Sequence, residues 1–100
     1  MIVTKAQKEE LARLNLIAGK KAKTSTAYAA AFKYFAVGRK LLGENGWHFS
    51  YELTLALYEE SAETAYLNTD FDGAEQLSRV VLQKAKTLLD KINIYATKIH

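Results

Sequence analysis

The sequence predicts an all-α fold of four to five helices, built from antiparallel helical hairpins that stack on one another. The 100 residues contain no proline, the residue that breaks helix interiors, and the long stretches 51–67 and 72–89 contain only one glycine. A pattern of an aromatic residue followed by helical steps of three, four and three also occurs twice, 43 residues apart. Because such steps keep residues on one helix face, the repeat predicts two hairpins whose helices approach closely. Its two copies are Tyr28-x2-Ala31-x3-Phe35-x2-Gly38 and Phe71-x2-Ala74-x3-Ser78-x2-Val81.

The bulk composition predicts one small globular domain. Hydrophobic residues make up 49% and charged residues 25% of the chain, which are ordinary values for a folded protein. The absence of cysteine excludes disulfides and thiolate metal sites and favours a reducing, cytoplasmic location. No window approaches the roughly 18 apolar residues of a membrane span, so we expect no membrane partner.

The first helix is expected to begin at Thr4 and to end at Gly19. Thr4 and Gln7 match a capping box, in which each side chain accepts a hydrogen bond from the other residue's backbone amide. Gly19 is followed by a cluster of lysines, a combination typical of a helix C-terminus. We expect an apolar stripe to face the core, formed by Leu11, Leu14, Ile17 and Ala18.

The second helix is expected to run from Thr24 or Ser25 to Leu42 and to be the buried, central helix. Apolar residues cover much of its circumference, which is typical of a helix surrounded by others. Its exposed edge is predicted to carry Lys33, Arg39 and Lys40. The segment Gly43-Glu-Asn-Gly46 then predicts a turn, since glycine and asparagine accept positive φ at little cost.

Trp47 and Phe49 follow the turn, and we expect both to close the end of the core in preference to binding a ligand. The third helix is predicted between Ser50 and Asn68, from apolar residues at alternating steps of four and three. Those residues are Tyr51, Leu55, Tyr58, Ala62 and Ala65. The other side of this helix is acidic, with Glu52, Glu59, Glu60 and Glu63.

Asp70 is placed to cap a fourth helix that follows it directly. The predicted core residues of this helix are Phe71, Ala74, Leu77, Val81, Ala85 and Leu88. A second capping signal at Thr87 predicts a fifth helix from about Leu88 to Ile99. No later helix is available to cover its apolar residues, which are Ile92, Ile94, Tyr95 and Ile99. Because repeat units need neighbours to cover their faces, we expect residues 1–100 to be one helical-repeat segment of a longer chain.

Several segments together resemble the helical-repeat region of large bacterial, especially cyanobacterial, multidomain signalling kinases. The likeness spans about residues 15 to 95 and is carried by 27–38, 51–67 and 70–74. Three residues between these segments add to it, namely Leu41, Leu42 and Trp47. In the resembled proteins a Ser/Thr kinase domain and a P-loop ATPase domain precede a tetratricopeptide-like region, and sensor and histidine-kinase domains follow it. The resemblance implies a connecting or sensing segment and brings no catalytic residue into these positions.

The match to the tetratricopeptide motif is partial. Phe71 and Ala74 match the second helix of that motif, and Tyr58 and Ala62 stand where its Trp and Gly would be. Ser78 replaces a large aromatic residue of the motif. The spacing of 43 residues exceeds the usual repeat of about 34, which implies longer helices or a different superhelical pitch.

No loop motif predicts a nucleotide, cofactor or metal site. The segment Gly19-Lys-Lys21 lacks the upstream glycine and the following Ser or Thr of a phosphate-binding loop. The acidic run Asp70-x-Asp72-Gly73 lacks the ligand spacing of a calcium loop and continues as helix. We therefore expect no bound cofactor and no metal.

Isolated titratable residues do not predict catalysis either. Glu59 and Glu63 share a helix face, but like charges at that spacing are typical of a solvated surface. His48 and His100 are the two imidazoles available as bases or metal ligands, and no cysteine joins them. The chain is predicted not to be an enzyme and to contain no catalytic residue.

The net charge of +3 is unevenly distributed along the sequence. Residues 1–46 hold nine basic against three acidic residues, whereas residues 47–100 hold five against eight. A basic cluster in the first part leaves one alternative open, a regulatory module that binds nucleic acid. Its members are Lys20, Lys21, Lys23, Lys33, Arg39 and Lys40. The preferred hypothesis is a non-catalytic scaffold that mediates protein–protein or interdomain contacts, and we expect the isolated fragment to self-associate.

Overall fold

The computed structural model describes residues 4–98, which form six α-helices. These are α1 (Lys5–Thr24), α2 (Tyr28–Leu42), α3 (Gly46–Phe49), α4 (Tyr51–Leu67), α5 (Phe71–Lys84) and α6 (Leu88–Lys98). No strand occurs within residues 4–98, so the all-α prediction is confirmed. The number of helices exceeds the expected four to five because the residues after the predicted turn form the one-turn helix α3.

The helices stack as two hairpins followed by a final helix. α1 and α2 are joined by residues 25–27 and pack on each other, and α4 and α5 are joined in the same way by residues 68–70. Such short connections make neighbouring helices antiparallel. α2 also packs against α4, which joins the hairpins into one stack, and α6 lies against α5 and α4.

α1 begins where the capping box predicts, but it continues past the predicted stop. Thr4 Oγ1 accepts a hydrogen bond from the amide of Gln7 at 3.1 Å, and Gln7 Oε1 accepts one from the amide of Thr4 at 2.9 Å. The predicted end at Gly19 is wrong, because this glycine is buried inside α1. A Cβ atom at Gly19 would overlap the ring of Phe35. The glycine therefore serves the close approach of α1 to α2.

α2 begins later than expected and is not surrounded by other helices. Thr26 has a φ of 60°, which interrupts the helical backbone and moves the first residue of α2 from Thr24 or Ser25 to Tyr28. One side of α2 is buried, through Ala31, Phe35, Gly38 and Leu42. The opposite side is exposed, so the prediction of a central helix is wrong for that side.

Two hydrophobic clusters form the core, one in each part of the stack. The first joins α1, α2 and α4 through Ala12, Ala31, Phe35, Leu42, Leu53 and Leu57. The second joins α3, α4, α5 and α6 through Trp47, Leu55, Ala62, Leu77, Val81 and Ile94. The Trp47 ring lies 5.0 Å from that of Tyr58 and 5.8 Å from that of Tyr51. Its predicted packing role is confirmed, and Phe49 packs half-buried against the first cluster.

The second half of the chain follows the predicted boundaries except at the end of α5. Asp70 Oδ1 accepts a hydrogen bond from the amide of Gly73 at 3.0 Å, which confirms the predicted cap. α5 ends at Lys84 and does not reach Leu88, because Ala85 has extended backbone angles. α6 begins at the expected residue, and its predicted end, Ile99, lies outside the described residues.

Replacing Ala31 with leucine is expected to lower the free energy of unfolding by about 1–3 kcal/mol through overpacking. Ala31 lies on α2 and is fully buried against the neighbouring helices. The matched control is Ala29→Leu on the exposed side of the same helix, for which we expect little change. Urea unfolding followed by circular dichroism measures both variants. An unchanged midpoint for Ala31→Leu would show that the helices do not touch there.

Candidate protein-contact surface

The α1–α2 hairpin is covered by α4 on one side and leaves its other side exposed. We call this exposed side the outer face and define it by Leu11, Leu14, Ala30, Tyr34 and Val37. The exposed fractions of its larger side chains are 43% for Leu11, 52% for Leu14, 43% for Tyr34 and 48% for Val37. Such a concentration of apolar residues on one face is typical of a contact surface.

The outer face includes part of the apolar stripe that was predicted to face the core, and that prediction is wrong. Leu11, Leu14 and Ile17 are exposed, whereas Ala12 and Gly19, seven residues apart on another side of α1, are buried. Small residues let the α1 and α2 backbones approach, and the larger leucines would hold them apart. Ala12 and Gly19 therefore face α2, Leu16 packs half-buried against the first cluster, and Leu11, Leu14 and Ile17 face outward.

A groove runs between α1 and α2 on the outer face. Its cavity measures about 360 Å³ and is lined by Asn15 on α1 and by Ala30, Lys33, Tyr34 and Val37 on α2. The Asn15 side-chain amide donates to the carbonyl of Leu11 at 2.9 Å, which directs it along α1. The lining is mainly apolar, with one lysine at its edge.

The basic cluster identified in the sequence divides into two groups with different environments. Lys23 contacts α4, and its Nζ lies 2.6 Å from Glu60 Oε2 and 3.1 Å from Glu63 Oε1. Burial opposes the charged form of Lys23, but the hydrogen bonds and charges of Glu60 and Glu63 outweigh it and raise the pKa of the ammonium. Lys23 therefore joins the two hairpins and is not part of a free basic surface.

Arg39 also belongs to the inner group. Its Nε donates to Ser61 Oγ at 2.9 Å, and its guanidinium lies 5.5 Å from the ring centroids of both Phe32 and Tyr58. Burial lowers the pKa of Arg39. The predicted placement of Arg39 on an exposed edge is therefore wrong, because the side chain lies between α2 and α4.

The second group of basic residues is exposed and consists of Lys20, Lys21, Lys33 and Lys40. Within residues 4–98 none of them forms an ion pair. Lys33 and Lys40 are seven residues apart, so they lie on the same side of α2, next to Val37. Lys21 follows Leu14 at the same spacing on α1. Lys33 and Lys40 therefore border the outer face on α2, and Lys33 also lines its groove.

A second cavity, of about 210 Å³, lies between α4 and α6 and is lined by Glu59, Glu60, Glu63 and Asn93. Burial first, and then the neighbouring charges of Asp90 and Glu60, raise the pKa of Glu59. Glu63 pairs with Lys23, so Glu59 and Glu63 do not act as a pair of free carboxylates. Within residues 4–98 no three His, Asp or Glu side chains are arranged to hold a metal ion.

Glu59→Gln is expected to stabilise the protein at pH 7 by less than about 1 kcal/mol, the size that solvent screening leaves to a partly exposed charge. Folding raises the pKa of Glu59, so the folded state favours the protonated carboxyl. Glu59 therefore contributes to stability below its unfolded pKa, and this contribution is lost as pH rises through the higher folded pKa. The benefit of the substitution should therefore disappear near pH 4. Melting temperatures across this range measure it, with the exposed Glu52→Gln as control. A benefit that is equal at both pH values would contradict the assignment.

The remaining candidate residues take structural or peripheral positions. His48 is exposed on α3, and His100 lies outside the described residues. Asp70 caps α5 and Asp72 lies in its first turn. These residues are not brought together into a site.

α6 carries a second exposed apolar surface. Its outward residues are Leu88, Leu89, Ile92 and Tyr95, with exposed fractions between 50% and 74%. α6 is held by Ile94, which is fully buried, and by Tyr51 on α4. The Tyr51 hydroxyl donates to Asp90 Oδ2 at 2.7 Å and accepts from the amide of Lys86 at 2.8 Å.

Comparisons with protein families, with curated proteins and with solved structures found no match for this chain. Within residues 4–98, no helix is both long enough and apolar enough to cross a bilayer. The outer face and the exposed side of α6 are thus the features on which a functional proposal depends.

Proposed function

We propose that this chain is a non-catalytic, tetratricopeptide-like scaffold that mediates protein–protein or interdomain contacts in a cytoplasmic bacterial signalling protein. The observation that carries the proposal is the outer face, where one side of a helical hairpin lacks the covering layer that its other side has. Stacked helical repeats bury each unit's apolar face against a neighbour. An uncovered face on such a unit is suited to binding another helical element.

The alternative, a module that binds nucleic acid, has weaker support. Two of its six basic residues, Lys23 and Arg39, are engaged with α4. The exposed lysines border an apolar groove, whereas nucleic-acid surfaces are typically polar and strongly basic. Retention on heparin at low salt that decreases steeply as salt is added would favour this alternative.

The isolated chain is expected to self-associate through the outer face, and the weight-average mass in sedimentation velocity should rise with protein concentration. It should rise further with added salt. Contact between two outer faces brings the positive charges of Lys33 and Lys40 of both copies together, and salt screens their repulsion. Leu14→Ser with Val37→Ser should reduce the association. Leu89→Ser removes exposed apolar surface elsewhere and serves as the control.

Two results would count against this assignment. A monomeric mass that is independent of concentration at both low and high salt would remove the support for the outer face as a contact surface. An effect of Leu89→Ser as large as that of the outer-face variant would place the contact on α6.

A further inference from the structure

We infer that the outer face binds an acidic amphipathic helix, with the apolar stripe of that helix in the α1–α2 groove and its flanking carboxylates on Lys33 and Lys40. This inference rests on the proposed function and specifies its partner. It combines two independent observations, the shape of the groove and the sign of the charges around it.

The shape of the outer face favours a helix. Two antiparallel helices leave a long groove between them, and a third helix fits it by packing a ridge of side chains into that groove. The floor carries Ala30, a small residue that leaves room, and Tyr34 and Val37, which supply apolar contact area. A partner helix would therefore present apolar residues at steps of three and four.

The charges of the outer face favour an acidic partner. Lys33 lines the groove, and Lys40 lies on the same side of α2, seven residues later; neither forms an ion pair inside residues 4–98. Glu10, the acidic residue of α1 nearest to Leu11, is already paired with Arg13. Carboxylates that flank the apolar stripe of a partner would complement these lysines and set its register.

The same charges disfavour other occupants. A second copy docked by its own outer face would place lysines against lysines, and the exposed side of α6 directly follows the exposed Lys84 and Lys86 in the chain. An anionic membrane offers the right sign, but it is a broad surface and does not enter a groove between two helices. Duplex DNA offers no apolar ridge for Val37 and Leu14.

Fluorescence anisotropy with two labelled synthetic peptides tests the inference. Each peptide has about 18 residues, enough to form a helix on binding, with leucine at steps of four and three and either Glu or Lys at every flanking position. We expect the Glu peptide to bind and the Lys peptide not to bind. Raising NaCl from about 0.05 M to about 0.5 M should weaken Glu-peptide binding through screening, the opposite of its effect on self-association.

Charge reversal identifies the surface. Lys33→Glu with Lys40→Glu should weaken binding of the Glu peptide by about tenfold, since two attractive contacts become repulsive. The control, Lys20→Glu with Lys84→Glu, changes the net charge equally at exposed positions away from the groove and should leave the affinity unchanged. Thermal melts check that both double variants stay folded, and Val37→Ser provides a second, uncharged test of the same groove.

Several outcomes would overturn the inference. These are equal binding of the two peptides, Glu-peptide binding that ignores the Lys33 and Lys40 changes, and binding of phosphatidylglycerol vesicles or duplex DNA without binding of the Glu peptide. If neither peptide binds but self-association depends on the outer face, the acidic partner is wrong and the scaffold proposal stands. If neither binds and the chain does not associate, both proposals fail.

Discussion

Phe35→Ala is expected to lower the free energy of unfolding by about 3–5 kcal/mol, the range found when a large buried aromatic side chain is removed. Phe35 is fully buried in the first cluster, and its ring packs directly against the backbone of α1 at Gly19. Its removal leaves a cavity between the two helices of the first hairpin. The measurement is chemical unfolding, with the exposed neighbour Tyr34→Ala as control, for which we expect a loss of under about 1 kcal/mol.

The contact between Gly19 and Phe35 can be isolated by a double-mutant cycle. Gly19→Ala alone should destabilise the protein, since the added methyl group meets the Phe35 ring and the surrounding core holds that ring in place. In a Phe35→Leu background the same change should cost less, because alanine is the better helix former and the ring is gone. Additive effects of the two substitutions would contradict a direct contact.

Trp47→Ala should also cost about 3–5 kcal/mol, and its effect should extend beyond α3. Trp47 is 5% exposed and packs in the cluster that joins α3 and α4 to α5 and α6. Its ring lies against Tyr51, the residue whose hydroxyl holds the start of α6. We therefore expect both the stability and the packing of the second hairpin to change.

The control for Trp47 is His48→Ala, an exposed change in the same short helix. Thermal unfolding gives the stability of each variant, and near-ultraviolet circular dichroism reports the packing of the tyrosine rings. A loss below about 1 kcal/mol for Trp47→Ala would mean that this ring only covers the end of the stack and is not part of its core.

Local signals predicted the start of each helix that a side chain caps. Thr4, Asp70 and Thr87 each cap a helix as expected, through hydrogen bonds that span three residues. The repeated pattern also identified Ala31 and Ala74, which are both buried. The caps depend only on residues close in sequence, so the sequence alone is sufficient to predict them.

The orientation of α1 was not predictable by the same reasoning. Leu11 and Leu14 have the spacing of core residues, and so does the set of small residues that includes Ala12 and Gly19. The choice between these sets depends on Phe35, a residue of another helix whose ring occupies the space that a Cβ atom at position 19 would need. Composition favours the larger residues as core, whereas the tertiary contact favours the smaller ones.

The candidate contact surface was missed for the same reason. Val37 and Tyr34 were assigned to a buried helix, because an apolar residue on a surface and one in a core look alike in sequence. Lys23 and Arg39 were grouped with the exposed lysines, although each has partners on α4. Lys23 and Arg39 differ from the exposed lysines because they contact the acidic and polar side of α4. That contact can be recognised only once the packing of α1 and α2 against α4 is known.

The attachment of α6 has a consequence for how the molecule opens. Ile94 is the only buried side chain among residues 88–96, and Tyr51 adds two hydrogen bonds, one to Asp90 in α6 and one to the amide of Lys86 in the preceding linker. Releasing α6 therefore exposes far less apolar surface than unfolding either hairpin, and the free energy of that local opening is well below that of the whole stack. When α6 is released in this way, the Val81 side of α5, which α6 covers through Ile94, becomes accessible to solvent and proteases while the hairpins stay folded.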